Sequence, residues 1–223
     1  MDPQAPPCIV ATSPNVGDTE VDPELAEITV TFDRDMAEGF SWTGGGAELP
    51  PSPEGKSAQW RNKRTCVLPV KLSAARYYRV GVNSISYKNF RSVSGVSANP
   101  SAIYFTTKGA SEPLKMRARK PMIIAIAPRS GANDVDPALK ELRVTFNMPM
   151  GEGFSWTGGG PEFPTIPEGK KPFWSTDHKT CVLPVELQPG TQYRLGLNSP
   201  SYHNFQSAGG GALDPVVYTF KTK

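Results

Sequence analysis

Two short segments hold the residues with the most capacity for recognition chemistry. The octapeptide GFSWTGGG stands at Gly39–Gly46 and again at Gly153–Gly160. Each copy carries an indole, Trp42 or Trp156, and a second, Trp60 or Trp174, follows close by in sequence. Further on, Tyr87-Lys88-Asn89-Phe90 is echoed by Tyr202-His203-Asn204-Phe205. Exposed aromatic rings stack on the apolar faces of pyranose rings, and amide groups hydrogen-bond sugar hydroxyls. The candidate ligand-binding residues are therefore Trp42, Trp60, Tyr87 and Asn89 in one copy and Trp156, Trp174, Tyr202 and Asn204 in the other. A competing reading packs each Trp into a core, with the glycines giving positive φ at a turn or bulge. Alternation along GFSWTG puts Phe40 and Trp42 on one face, which favours burial of both. Phosphate binding fits poorly. It needs glycine-rich backbone opening a helix, whereas Ala47-Glu48-Leu49-Pro50 and Pro161-Glu162-Phe163-Pro164 follow here.

The other reactive side chains argue against catalysis and against metal. Cys66 and Cys181 are repeat equivalents on an apolar row, the place of small core hydrophobes. Cys8 has no partner of its kind, since Met122 takes its place in the second copy. A Cys8–Cys66 bridge stays open, but three cysteines do not make a full disulfide framework. No CxxC or His/Cys cluster offers a zinc site. Glu20 and Asp22 recur as Asp134 and Asp136, too few oxygens for calcium and well suited to turn-forming bonds. The two histidines, His178 and His203, do not recur, and neither sits in a nucleophile motif such as GxSxG. No enzyme activity, cofactor or metal is expected.

These residues must be positioned by some framework, and self-comparison supplies it. SPNVGDTEVDPELAEITVTF at Ser13–Phe32 matches APRSGANDVDPALKELRVTF at Ala127–Phe146. TCVLPVKL at Thr65–Leu72 matches TCVLPVEL at Thr180–Leu187, after one extra residue in the second copy. Each unit is roughly 100 residues, the size of a domain that buries its own core. The expected organisation is domain 1 at 1–108, a linker at 109–120 and domain 2 at 121–223. The basic cluster Lys115, Arg117, Arg119 and Lys120 reads as part of that solvated linker.

Within each copy the apolar period is two, the mark of half-buried strands. Ile28, Val30 and Phe32 share one face, as do Leu142, Val144 and Phe146. In CVLPVKL, Cys66, Leu68, Val70 and Leu72 point inward, and Val67, Pro69 and Lys71 outward. A proline lacks an N–H, so this strand lies at an edge or is bulged there. Tyr78, Val80 and Val82, matched by Tyr193, Leu195 and Leu197, form another inward row. LQPGTQY has the spacing of a tyrosine corner, while LSAARYY keeps the Leu and Tyr without the Pro-Gly turn. With 23 Pro and 21 Gly punctuating short strands, the fold class is all-β, two tandem β-sandwiches.

A net charge of +3 is too small for a nucleic-acid partner. No apolar run reaches the ~20 residues of a bilayer span. Met1-Asp2-Pro3 has neither the basic start nor the apolar core of a signal peptide. The chain is thus either cytosolic or cut from a longer exported protein.

The pattern SPxxGAxDVDPxLxEIxVTF, then a Trp, a TCVLPV strand, PGTQYRLGLNS and a closing YTFKT resembles bacterial Ig-like domains of the SbsA (S-layer) type. The second copy resembles them more, through Gly131, Asp134-Val135-Asp136-Pro137, Met150 and Pro189-Gly190-Thr191, whereas the first has Asp35 and Ala74-Ala75. The resemblance implies two Ig-like or fibronectin-III-like sandwiches and supplies no catalytic residue. It implies a non-catalytic structural or interaction module of an exported or cell-surface protein, hence an extracytoplasmic location in the envelope or secreted. The alternatives are a carbohydrate-binding module with one aromatic platform per domain, or an accessory domain of a larger hydrolase or peptidase. A polysaccharide or another protein domain is the partner in view.

Overall fold

The computed structural model describes residues 4–223, and the chain divides between Arg119 and Lys120 into two compact units. Strands of unit 1 are β1 (Ile9–Ser13), β2 (Glu27–Phe32), β3 (Trp42–Thr43), β4 (Gln59–Trp60), β5 (Thr65–Pro69), β6 (Tyr77–Val82) and β7 (Ser101–Thr106). They form one antiparallel sheet in the order β1-β2-β5-β4 and another in the order β3-β6-β7. Lettered A to G along the chain, that is sheet ABED and sheet CFG, the constant-type immunoglobulin arrangement. Unit 2 repeats it with β8 (Ile123–Ala127), β9 (Ala132–Val135), β10 (Glu141–Phe146), β11 (Trp156–Thr157), β12 (Phe173–Trp174), β13 (Thr180–Pro184), β14 (Gln192–Leu197) and β15 (Val216–Thr222). Its sheets are β8-β10-β13-β12 and β11-β14-β15-β9, with β9 parallel to β15. Unit 1 keeps only a parallel bridge there, Val21 to Thr107. The protein is all-β, two Ig-like sandwiches in tandem.

The inward rows read from period two are buried except at Leu68, which is half-buried against the core. Ile28, Val30, Phe32, Leu142, Val144 and Phe146 are all at most 1% exposed. Val67 and Val182 differ from expectation, being buried although they point away from the core. Each lies mid-strand between two paired neighbours, Thr29 and Gln59 or Arg143 and Phe173, whose side chains shield it. Pro69 falls past the end of β4, which reaches only Cys66 and Val67. The strand is an edge at that point, so the missing N–H costs nothing.

Both tyrosine corners form. The backbone N–H of Ser73 donates to the Tyr78 hydroxyl at 2.8 Å, and Gln188 does the same to Tyr193 at 2.8 Å. Gly190 takes φ 65° in that loop, and Ala75 holds the matching place at φ 57° despite its Cβ.

The stretch expected as a linker instead contains α1 (Glu112–Ala118), which belongs to unit 1. Seven residues show too little periodicity to betray a helix, and a helix that short needs tertiary contacts to persist. Here Ala118 is fully buried, and the Arg117 guanidinium sits 4.2 Å over the Tyr77 ring while bonding Glu48 at 2.7 Å. Lys115 pairs with Glu20 at 2.5 Å. Two members of the basic cluster are therefore anchors rather than solvated linker charges. Coverage by the helix also explains why every residue of β7 is buried, whereas Val217 and Lys221 of β15 are exposed.

Candidate functional site

In unit 1 GFSWTGGG commits Ser41, Trp42 and Thr43 to internal packing and hydrogen bonds, while Phe40 and the glycines stay exposed. Only Trp42-Thr43 is strand, paired with Val82 and Gly81 of β6, as Trp156-Thr157 is with Leu197 and Gly196. The Thr43 hydroxyl donates to the carbonyl of Asn83 at 3.2 Å and lies over Gly81, where a Cβ would come within 2.1 Å of it. Ser41 accepts on its carbonyl from the Asn83 N–H at 3.0 Å and on its hydroxyl from the Asn89 N–H at 3.1 Å. Gly44 at φ 140° and Gly46 at φ 65° turn the chain into a single 3-10 turn, Gly46–Glu48. Gly45 is extended with nothing near its missing Cβ, and nothing in the structure explains it.

The segment joins an element that sequence reasoning passed over, the asparagine of VGVNS and LGLNS. Asn83 and Asn198 are each 2% exposed with φ near 60°. The Asn83 amide donates to the carbonyls of Phe90 and Ala98, at 3.1 and 2.9 Å, and accepts from the Phe90 N–H at 3.0 Å. Asn198 repeats this with Phe205 and Leu213 at 3.1, 2.9 and 2.9 Å. A fully satisfied buried amide thus holds the F–G loop, residues 83–98, from inside. Its signal in the sequence was Asn between an apolar strand and a polar loop, a residue that tolerates left-handed backbone.

The four indoles surround one phenylalanine in each unit. Trp42 and Trp60 meet Phe90 edge-on at 5.3 and 5.8 Å, and Trp156 and Trp174 meet Phe205 at 5.7 and 5.9 Å. Both phenylalanines are fully buried, and all four tryptophans are half-buried. Trp60 donates to the Glu38 carbonyl at 2.8 Å and Trp174 to that of Glu152 at 3.1 Å. Trp156 donates to the Cys181 sulfur at 3.4 Å, while Trp42 Nε1 is buried without a well-aligned acceptor, facing Cys66. Burial pushes the thiols up, to about 11 for Cys66 and about 12 for Cys181. Neither is bridged, and Cys8 is exposed.

Tyr87 and Tyr202 stand apart from this interior at 65% and 62% exposure, and the Asn89 and Asn204 side chains are exposed as well. In unit 1, Phe40, Trp42, Tyr87 and Asn89 line one open depression of about 360 Å³ together with Thr43 and Gly44. The structure thus brings Trp42, Tyr87 and Asn89 together and leaves Trp60 behind Phe90. Phe40 is 37% exposed rather than buried with Trp42, because the strand begins only at Trp42 and alternation does not extend back to it. A larger hollow of about 670 Å³ in unit 2, beside Pro128, Leu139 and Arg143, contains none of the expected residues.

The remaining candidates have ordinary structural duties. Asp22 and Asp136 accept from the N–H groups of Glu24 and Ala138, at 3.0 and 2.8 Å, closing turns. Among the described residues no three metal-ligating side chains cluster. His178 stacks on Trp174 at 6.2 Å, and the His203 ring contacts the Pro200 carbonyl at 2.9 Å. No helix among the described residues is long and apolar enough to cross a membrane.

No family model matches the chain, and no curated protein matches it. Solved structures similar to it include domains 5–6 of the S-layer protein SbsC, at 9% identity and TM-score 0.29, covering 97% of this chain and 99% of that one. The titin Ig tandem A164-A165 matches at 12% identity and TM-score 0.27, over 92% of this chain and 91% of that one. A structure solved with a xylogluco-oligosaccharide matches at 15% identity and TM-score 0.26, over 97% of this chain, which spans 40% of that protein's length. At these scores the strand order itself, ABED on CFG, carries the fold assignment.

Proposed function

We propose that the chain is a non-catalytic interaction module of an exported or cell-surface bacterial protein. The observation that carries this reading is the pair of F–G loops, each held from inside by a buried asparagine and each presenting an exposed tyrosine. A rigid scaffold that displays aromatic side chains on a fixed loop suits recognition, because little ordering entropy is lost on contact. The surface location rests on the sequence resemblance to S-layer-type domains.

A second reading, carbohydrate binding, is favoured by the depression in unit 1. Tyr87 and Phe40 offer partly exposed rings there, with the Asn89 amide beside them. Native electrophoresis of the chain through gels containing neutral or acidic polysaccharides tests it. Retardation that disappears in Tyr87→Ala and Phe40→Ala, with the unfolding midpoint unchanged, supports a sugar site. Absence of retardation in every gel removes the carbohydrate reading and leaves a docking or spacer module.

A further inference from the structure

Resting on the carbohydrate reading, we propose that the two copies of the site have diverged in ligand charge, and that the unit 1 depression takes a uronic-acid polysaccharide. The interior beneath the site is the same in both units: two indoles on a buried phenylalanine and an asparagine clamp. The charged residues of the F–G loop beside it are not the same. Lys88 lies between Tyr87 and Asn89, which both line the depression. Its carbonyl accepts from Arg91 Nε at 2.7 Å, so the guanidinium is drawn toward the same part of the loop. Both cations are exposed, and neither forms an ion pair among the described residues. Glu38, whose carbonyl accepts from Trp60, is matched in unit 2 by Glu152.

In unit 2 the two cations are replaced by His203 and Gln206. The histidine ring turns back onto the Pro200 carbonyl at 2.9 Å. Unit 1 therefore carries a lysine and an arginine on this loop where unit 2 carries a histidine and a glutamine. An unpaired guanidinium presents a fork that matches a carboxylate, and an ammonium adds a point charge beside it. A sugar ring resting on Tyr87 while its carboxylate meets Lys88 and Arg91 satisfies the aromatic and the charged groups together.

The test is affinity electrophoresis of the full chain at neutral pH in gels holding polygalacturonate, a neutral galactan, or poly-glutamate. Polygalacturonate is expected to retard the protein, less so as salt is added. Lys88→His with Arg91→Gln, which gives unit 1 the residues of unit 2, should weaken that retardation about tenfold, since each exposed ion pair contributes a factor of a few. Tyr87→Ala should weaken it as well. All three positions are exposed, so an unchanged unfolding midpoint shows that the variants fold. Equal retardation by neutral galactan, untouched by the double variant, overturns the charge assignment and leaves the sugar reading standing. Equal retardation by poly-glutamate, indifferent to Tyr87→Ala, overturns the assignment as bare charge. No retardation in any gel overturns both readings.

Discussion

Replacing Asn83 by alanine strikes the amide that carries the F–G loop of unit 1, and the cost can be worked from its partners. Three side-chain hydrogen bonds are lost, but the three orphaned groups are not equivalent. The Phe90 carbonyl retains the Ala98 N–H at 2.9 Å. The Phe90 N–H and the Ala98 carbonyl lose the bonds that Asn83 gave them. An orphaned buried group costs about 1–3 kcal/mol, so these two account for about 2–6 kcal/mol. Alanine at φ 60° adds about 1 kcal/mol that asparagine largely avoids. The expected loss is about 3–7 kcal/mol, a large share of the 5–15 kcal/mol typical of a domain. Asn83→Gly removes the same bonds without the backbone penalty, so it should be milder by about 1 kcal/mol. Native-state hydrogen exchange reads the effect in place, since the Phe90 amide should lose most of its protection while the Phe205 amide in unit 2 keeps its own. A Phe90 amide that remains protected in Asn83→Ala, with a stability loss below about 1 kcal/mol, would refute the clamp.

Backbone and burial carry three further outcomes. Ala75→Gly should stabilise unit 1 by about 0.5–1 kcal/mol and Gly190→Ala should destabilise unit 2 by about 1 kcal/mol, because both sites need left-handed backbone and the space around Gly190 is empty; paired chemical-denaturation curves check both signs. In the native protein an alkylating reagent at pH 8 should label Cys8 alone, and all three cysteines after unfolding. The buried thiols have pKa values raised above the ordinary 9, so their contribution to stability is intact below pH 9 and declines as pH rises toward about 11 and 12; Cys181→Ala should flatten the alkaline limb of an unfolding-against-pH profile for unit 2.

Much of the architecture was legible because sandwich strands write a period of two that solvent enforces. The inward rows of β2, β5, β6 and their second copies stand where alternation put them, and Pro69 marked a local edge. Three features were not legible, each for a physical reason. Helix α1 is shorter than two turns, and what holds it is a cation over Tyr77 and an ion pair to Glu48, contacts between residues far apart in sequence. Phe40 lies outside a strand of only two residues, too short for alternation to govern its flanks. The asparagine clamp depends on bonds to residues 7 and 15 positions away, which no local pattern displays. Sequence alone left the tryptophans between core and platform, and the structure half-buries all four against Phe90 or Phe205. Their edges pack on Phe90 or Phe205, while Trp42 also contributes to the open depression.

The recurrence of GFSWTGGG now has a cause that bears on where to look for binding. Thr43 must clear Gly81, Ser41 must meet Asn83 and Asn89, and Gly44 and Gly46 must turn the chain. Alter one of these and the F–G loop loses its footing in either unit. Interior constraints of this kind hold two duplicated copies alike whatever ligand each one meets, so identity between copies reports the scaffold. Difference between copies is the more telling signal for recognition. The F–G loops differ at eight positions, and two of these, Lys88 against His203 and Arg91 against Gln206, remove a lysine and an arginine while the asparagine bonds beneath are kept. On the proposal of a uronic-acid site in unit 1, one duplicated fold addresses two ligands by exchanging loop charges without touching the asparagine bonds that keep the loop in place.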